Sequence, residues 1–174
     1  MSKFELPLRA DLQGQSPYGA PVDRVPVRLN VNENPYPPSE SVVAAISAAV
    51  GTAAREVNRY PDRDAVELRV VLADYLNHES GVKIAPERIW AANGSNEIMS
   101  QLFSAFGGPG ATALTFDPTY SMYPEYARDS FTKMVSIPRR ADFTVDIELA
   151  IQEIASRAPN LVILASPNNP TGTL

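Results

Sequence analysis

The 174-residue chain contains no cysteine and a single histidine, His78. The first absence removes disulfides, thiolate metal sites and cysteine nucleophiles. The second leaves too few imidazoles for a histidine-based metal motif. His78 lies in the polar stretch YLNHES, where a solvated helix end accounts for it more simply than a serine–histidine–aspartate device. Long apolar runs are also missing. No segment nears the ~20 apolar residues of a membrane span. The opening MSKFELPLRADLQGQSPYGAP lacks the apolar core of a signal peptide. The expectation is a cytoplasmic protein with no membrane partner. Basic charge is short as well: 15 Lys and Arg against 20 Asp and Glu give a net charge of −5. That balance argues against a nucleic-acid partner.

What is present suits a globular α/β protein. Hydrophobic residues make up 44% of the chain, enough for a core. Pro7, Pro17, Pro21, Pro26, Pro35, Pro37 and Pro38 forbid a long helix in residues 1–38 and predict an extended arm. A helix is predicted from Ser39, with Val42, Val43, Ile46 and Val50 on one stripe. Pro61 breaks the pattern. A second helix follows, with Val66, Leu68, Val71, Leu72, Tyr75 and Leu76 at helical spacing and Gly81 closing it. Then RIWAA, TALTF, TKMVSIP and NLVILAS read as strands, separated by helical segments. The helix before the last strand is expected to be capped by Asp146, with Ile147, Leu149, Ile151 and Ile154 mostly inward. This alternation predicts an α/β sheet with crossover helices. The all-apolar LVILA suits a sheet covered on both faces.

Ligands of open α/β sheets collect beyond the carboxyl ends of the strands. Three unusual loops fall there. In AANGSNE (residues 91–97) Gly94 permits a tight turn, and Ser95, Asn96 and Glu97 open a helix with free N–H groups, a seat for phosphate. The plainer reading is a helix start capped by Asn93, with Glu97 at the positive end. In FDPTYSMY (116–123) Tyr120 begins the next helix and can wall a pocket for a flat ring, or simply pack on the sheet edge. In SPNNPTG (166–172) prolines bracket Asn168 and Asn169. That rigidity suits an amide donor aimed at a ring oxygen, or a proline-rich exit from a strand. Together the loops offer what an aromatic phosphorylated cofactor needs.

These residues carry a resemblance. LNVNENPYPPS (29–39), NRYPDRDAVELR (58–69), AANGSNEI (91–98), FDPTYSMYPEYA (116–127) and SPNNPTG (166–172) resemble the first half of pyridoxal-phosphate aminotransferases of the aspartate-aminotransferase fold type. With SPYGAP (16–21), they are similar to the histidinol-phosphate branch. The resemblance implies part of a three-layer large domain with a mostly parallel sheet, preceded by the extended arm. Residues 39–85 would supply helices to a small domain and an interface, and 86–174 the first part of the cofactor-binding domain.

The cofactor implied is pyridoxal 5'-phosphate. The amides of Ser95, Asn96 and Glu97 would hold its phosphate, Tyr120 would stack on its ring, and Asn169 would donate to its phenolic oxygen. Tyr60 would reach the cofactor phosphate of the partner in a homodimer. Tyr18 would lie near a substrate phosphate and Asn34 near a substrate carboxylate. The implied reaction exchanges an amino group between histidinol phosphate and 2-oxoglutarate, with glutamate as the donor, in histidine biosynthesis. The Schiff-base lysine is expected beyond Leu174. Lys3, Lys83 and Lys133 read as surface charges, so no catalytic residue is assigned and the isolated chain is expected to be inactive. An aromatic-amino-acid aminotransferase, a threonine-phosphate decarboxylase and a non-catalytic truncated subdomain are the alternatives.

Overall fold

The computed structural model describes residues 7–16, 19, 25–27 and 32–174. They fall into two compact units, Met1–Pro61 and Asp62–Leu174. The first unit holds a 3₁₀ turn at Ala10–Leu12 and helix α1 (Glu40–Ala53). The Ser39 hydroxyl accepts the Val42 N–H at 3.4 Å, which satisfies one of the orphan donors of the first turn. Val42, Val43, Ile46 and Val50 lie on α1 as expected, and all four are exposed. The helix gives way to turns at residues 54–58, ahead of Pro61.

The second unit begins with α2 (Val66–Ser80). Asp62 sets its start: its carboxylate accepts the N–H of Val66 at 2.8 Å and that of Asp64 at 3.1 Å. Those bonds hold the Asp62 carboxyl below its ordinary range, the Val66 N–H contributing most. Gly81 ends the helix with φ +67°, a left-handed geometry that glycine adopts without strain. The expected apolar stripe is only partly inward. Ala73 is buried and Leu72 and Leu76 are half-buried, whereas Val66, Leu68, Val71 and Tyr75 are exposed. The returning segment explains the covered side: Arg69 donates to the Pro86 carbonyl, and the Asn77 amide bonds both the N–H and the carbonyl of Ile84.

Next come α3 (Gly94–Phe106), β1 (Thr112–Asp117), α4 (Tyr123–Asp129), β2 (Lys133–Pro138), α5 (Ile147–Arg157) and β3 (Leu161–Val162). The strands form a parallel sheet in the order β2-β1-β3. Thr112 pairs with Lys133, and Leu114 with both Val135 and Val162. Strand β1 is central, and Ala113 to Phe116 are all buried. One layer packs Phe103 of α3 and Tyr123, Tyr126 and Ala127 of α4 on Ala113. The other packs Ala150 of α5 on Leu114, Phe116 and Ile137, with Leu149 and Ile154 at its margin. A helix layer on each face is the arrangement parallel sheets require.

Three local expectations need correction. RIWAA contains no strand: a 3₁₀ turn at Pro86–Arg88 leads into irregular backbone. A strand exists only with a partner, and none of the described strands lies beside residues 89–92. In NLVILAS strand pairing is confined to Leu161–Val162 and a bond from the Ile163 N–H to the Leu114 carbonyl. On α5, Leu149 and Ile154 face the sheet while Ile147 and Ile151 are exposed.

Candidate active site

The carboxyl ends of β1 and β3 and the amino end of α3 come together in the second unit, linked by side-chain hydrogen bonds. Gly94 (φ +76°) turns the chain into α3. Asn93 holds the N-cap position, but its side chain caps nothing. Instead the Glu97 carboxylate reaches back, accepting the Asn93 backbone N–H at 2.7 Å and the Asn93 Nδ2 at 2.9 Å. The back-bonding resembles the return half of a capping box, from one position further along the helix. Ser95 and Asn96 hold the second and third positions of α3, ahead of the intrahelical ladder, and among the described residues no acceptor outside the helix takes their N–H groups; the Glu97 N–H, at the fourth position, is where that ladder begins. Two consecutive donors at the positive end of a helix are therefore open to an anion.

Tyr120 lies just ahead of α4, which starts at Tyr123 and not at Tyr120. Pro124 fits the first turn of that helix, where a missing N–H costs nothing. The half-buried Tyr120 ring meets the Tyr123 ring edge-on, with centroids 5.6 Å apart and planes at 83°. Its hydroxyl lies 3.4 Å from Asn96 Oδ1. Burial, followed by Tyr120 beside it, pushes the Tyr123 hydroxyl above its ordinary value. Tyr126 donates to the same Asn96 Oδ1 at 2.7 Å. The helix start and the tyrosine loop thus share an acceptor.

The third loop is tied to the second by Asn168, which is only 3% exposed. Asn168 Oδ1 accepts from Thr119 Oγ1 at 2.8 Å. Its Nδ2 donates to the Pro118 carbonyl at 3.0 Å and to Thr171 Oγ1 at 2.8 Å. Its backbone bonds Thr173 and Gly172. Every polar group of this buried side chain is used. Asn169 beside it is exposed. A second support comes from Arg139, which donates to the carbonyls of Phe116 and Phe143 while Thr173 donates to Phe143. Next to the loops lies an open hollow of about 600 Å³ lined by Asp117, Pro118, Thr119, Ser136 and Pro138.

Ser95, Asn96, Glu97, Tyr120 and Asn169 therefore belong to one edge of one unit. Tyr60 and Asn34 belong to the other unit. The Tyr60 ring is fully exposed, beside a hollow formed with Asn58 and Arg59. Asn34 Oδ1 accepts the Tyr36 N–H at 3.0 Å, a local turn between prolines. Tyr18 lies outside the described residues. Sequence reasoning missed Thr119, Tyr126 and the locking role of Asn168. A buried asparagine between prolines leaves no periodic signal that separates it from its exposed neighbour.

Comparison with known proteins gives the family. Residues 24–174 match the family described as aminotransferase class I and II. Histidinol-phosphate aminotransferase of Bifidobacterium adolescentis is 58% identical over 97% of this chain and 43% of its own length. That of Corynebacterium efficiens is 52% identical over 98% of this chain and 46% of its own. The chain thus spans less than half the length of these curated relatives. Among solved structures, an aspartate aminotransferase mutant of Thermus thermophilus aligns with a TM-score of 0.69 and 26% identity, over 82% of this chain and 37% of that one. Histidinol-phosphate aminotransferase of Sinorhizobium meliloti, in complex with pyridoxal-5'-phosphate, aligns with a TM-score of 0.64 and 25% identity, over 76% of this chain and 33% of that one. With the match running through all three loops, the chain belongs to the class I and II aminotransferases.

Proposed function

We propose that this chain is the cofactor-holding part of a pyridoxal-phosphate-dependent histidinol-phosphate aminotransferase. The observation that carries the reading is the helix start at Ser95–Glu97, with the Ser95 and Asn96 N–H groups ahead of the intrahelical ladder, linked through Asn96 to Tyr120. That combination fits an aromatic ring bearing a phosphate. The N–H groups take the phosphate oxygens, Tyr120 covers one face of the ring, and Asn169 donates to the ring oxygen. When bound, the cofactor supplies an electron sink that lets an amino acid lose its α-proton and its amino group. The residues of this chain bind and orient; they move no proton. Tyr18 and Asn34 are assigned to the substrate, and Tyr60 to the second subunit of a cytoplasmic homodimer. Residues 1–38 form its arm, 39–85 contribute to the small domain and interface, and 86–174 begin the cofactor domain. The close relatives favour histidinol phosphate and 2-oxoglutarate over aromatic amino acids or threonine phosphate.

Of the lysines among the described residues, Lys133 opens β2 at the end of the sheet away from these loops, and Lys83 is exposed. Neither serves as the covalent anchor. The 174-residue chain alone is therefore expected to bind pyridoxal phosphate without catalysing transfer. Absorbance titration and a coupled assay with histidinol phosphate and 2-oxoglutarate test both parts. Turnover at ordinary enzyme rates would overturn the division of labour. Failure to bind pyridoxal phosphate would overturn the site. For the full-length protein, faster transfer from an aromatic amino acid than from histidinol phosphate would overturn the substrate.

A further inference from the structure

We propose that Tyr126 is a positioning residue that fixes the Tyr120 ring through the side chain of Asn96. The proposal rests on the reading of Tyr120 as the cofactor's stacking partner. Tyr126 is 5% exposed, and its ring packs on Phe103, centroids 6.1 Å apart, in the core beneath α3 and α4. A buried tyrosine hydroxyl needs a partner. This one donates to Asn96 Oδ1 at 2.7 Å, across from α4 to the first turn of α3. The same oxygen lies 3.4 Å from the Tyr120 hydroxyl. Tyr120 is thus held at two points: its ring edge by Tyr123 and its hydroxyl by an amide that the core anchors.

The consequence concerns the plane of the ring. Stacking on a flat ligand is strongest when the aromatic face is already held at the right tilt, because ordering a side chain on binding costs entropy. A Tyr120 tied only by Tyr123 can swing about its first side-chain torsion. With its hydroxyl also held by Asn96, it cannot swing without breaking a hydrogen bond. The Asn96 side chain then has a role that its backbone N–H does not share. An aspartate at position 96 keeps the acceptor and preserves the device, whereas an alanine removes it.

The test uses the protein labelled with 3-fluorotyrosine, the Tyr120 resonance being assigned by its loss in Tyr120→Phe. Without ligand, wild type should give one sharp, shifted Tyr120 signal. Tyr126→Phe and Asn96→Ala should each move it toward the position of a solvent-exposed tyrosine. Asn96→Asp should leave it in place. Pyridoxal phosphate should bind Tyr126→Phe about five-fold more weakly, the worth of one hydrogen bond. Inorganic phosphate, which has no ring to stack, should bind both forms alike. A Tyr120 signal unchanged in Tyr126→Phe and Asn96→Ala overturns the proposal, as does an Asn96→Asp signal that moves with Asn96→Ala. If wild type binds no pyridoxal phosphate, the cofactor reading fails, while the fluorine signal still decides whether Tyr126 holds Tyr120. Should Tyr126→Phe fold poorly, the two Asn96 variants at the exposed end of the link decide it.

Discussion

Asn168 and Asn169 are adjacent in the chain and opposite in environment. Asn168 is buried, with its amide shared among Thr119, Pro118 and Thr171, and Asn169 is exposed. Replacing Asn168 by alanine removes those bonds from a buried position. The expected cost is about 2 kcal/mol, the scale for losing several hydrogen bonds of a buried amide. Asn169→Ala should stay within about 0.5 kcal/mol of wild type, as exposed substitutions do, yet it should weaken pyridoxal phosphate binding. Chemical denaturation and cofactor titration of the two variants separate the roles. If Asn169→Ala were the destabilised one, the division between lock and donor would be reversed. The doublet was legible in the sequence as a rigid amide pair between prolines. Which of the two amides turns inward was not, because that depends on Pro118 and Thr119, some fifty residues earlier in the chain.

At the scale of elements, most signals within one turn of the chain read correctly, the Asn93 cap and the start of α4 being the exceptions, while signals that need a distant partner did not. Ser39 and Asp146 cap their helices and Gly81 ends α2 because each acts on N–H or carbonyl groups three or four residues away. RIWAA has strand composition but no neighbour to pair with, and Ile147 and Ile151 share the α5 stripe without reaching the sheet. The α5 cap also gives a pH dependence. The Leu149 N–H and, after it, the Arg140 guanidinium hold the Asp146 carboxyl below its ordinary range. A carboxyl depressed on folding contributes stability in full above its unfolded value, about 3.9, and loses it as pH falls through the lower folded value. Asp146→Asn keeps a capping oxygen but cannot titrate. Its melting temperature should therefore fall less steeply below pH ~4 than that of wild type. Parallel curves would show that acid sensitivity resides in other carboxylates, of which Asp62 is similarly depressed.

For the molecule as a whole, the parallel α/β class and the gathering of three loops at one sheet end were legible. They follow from alternating helix and strand signals and from where strands point. The coverage of the sheet was not. LVILA predicted burial on both faces, but Val162, which stands beside Leu114 on the α5 side, is 45% exposed, and Leu164 is 58% exposed. Among the described residues, β3 also has no neighbour on its outer edge. An apolar strand with unpaired backbone groups recruits other chains. The 174-residue chain should accordingly associate as its concentration rises, seen by sedimentation as growth in average mass. Val162→Lys and Leu164→Lys together should suppress that growth without unfolding the protein, because both side chains are already in water and a lysine on an edge strand repels an incoming copy. Persistent association of the double variant would move the contact elsewhere, to the exposed valines and isoleucine of α1. A wild-type chain that stays monomeric and melts in one sharp transition would show that a short edge of two paired residues is too small to recruit a partner.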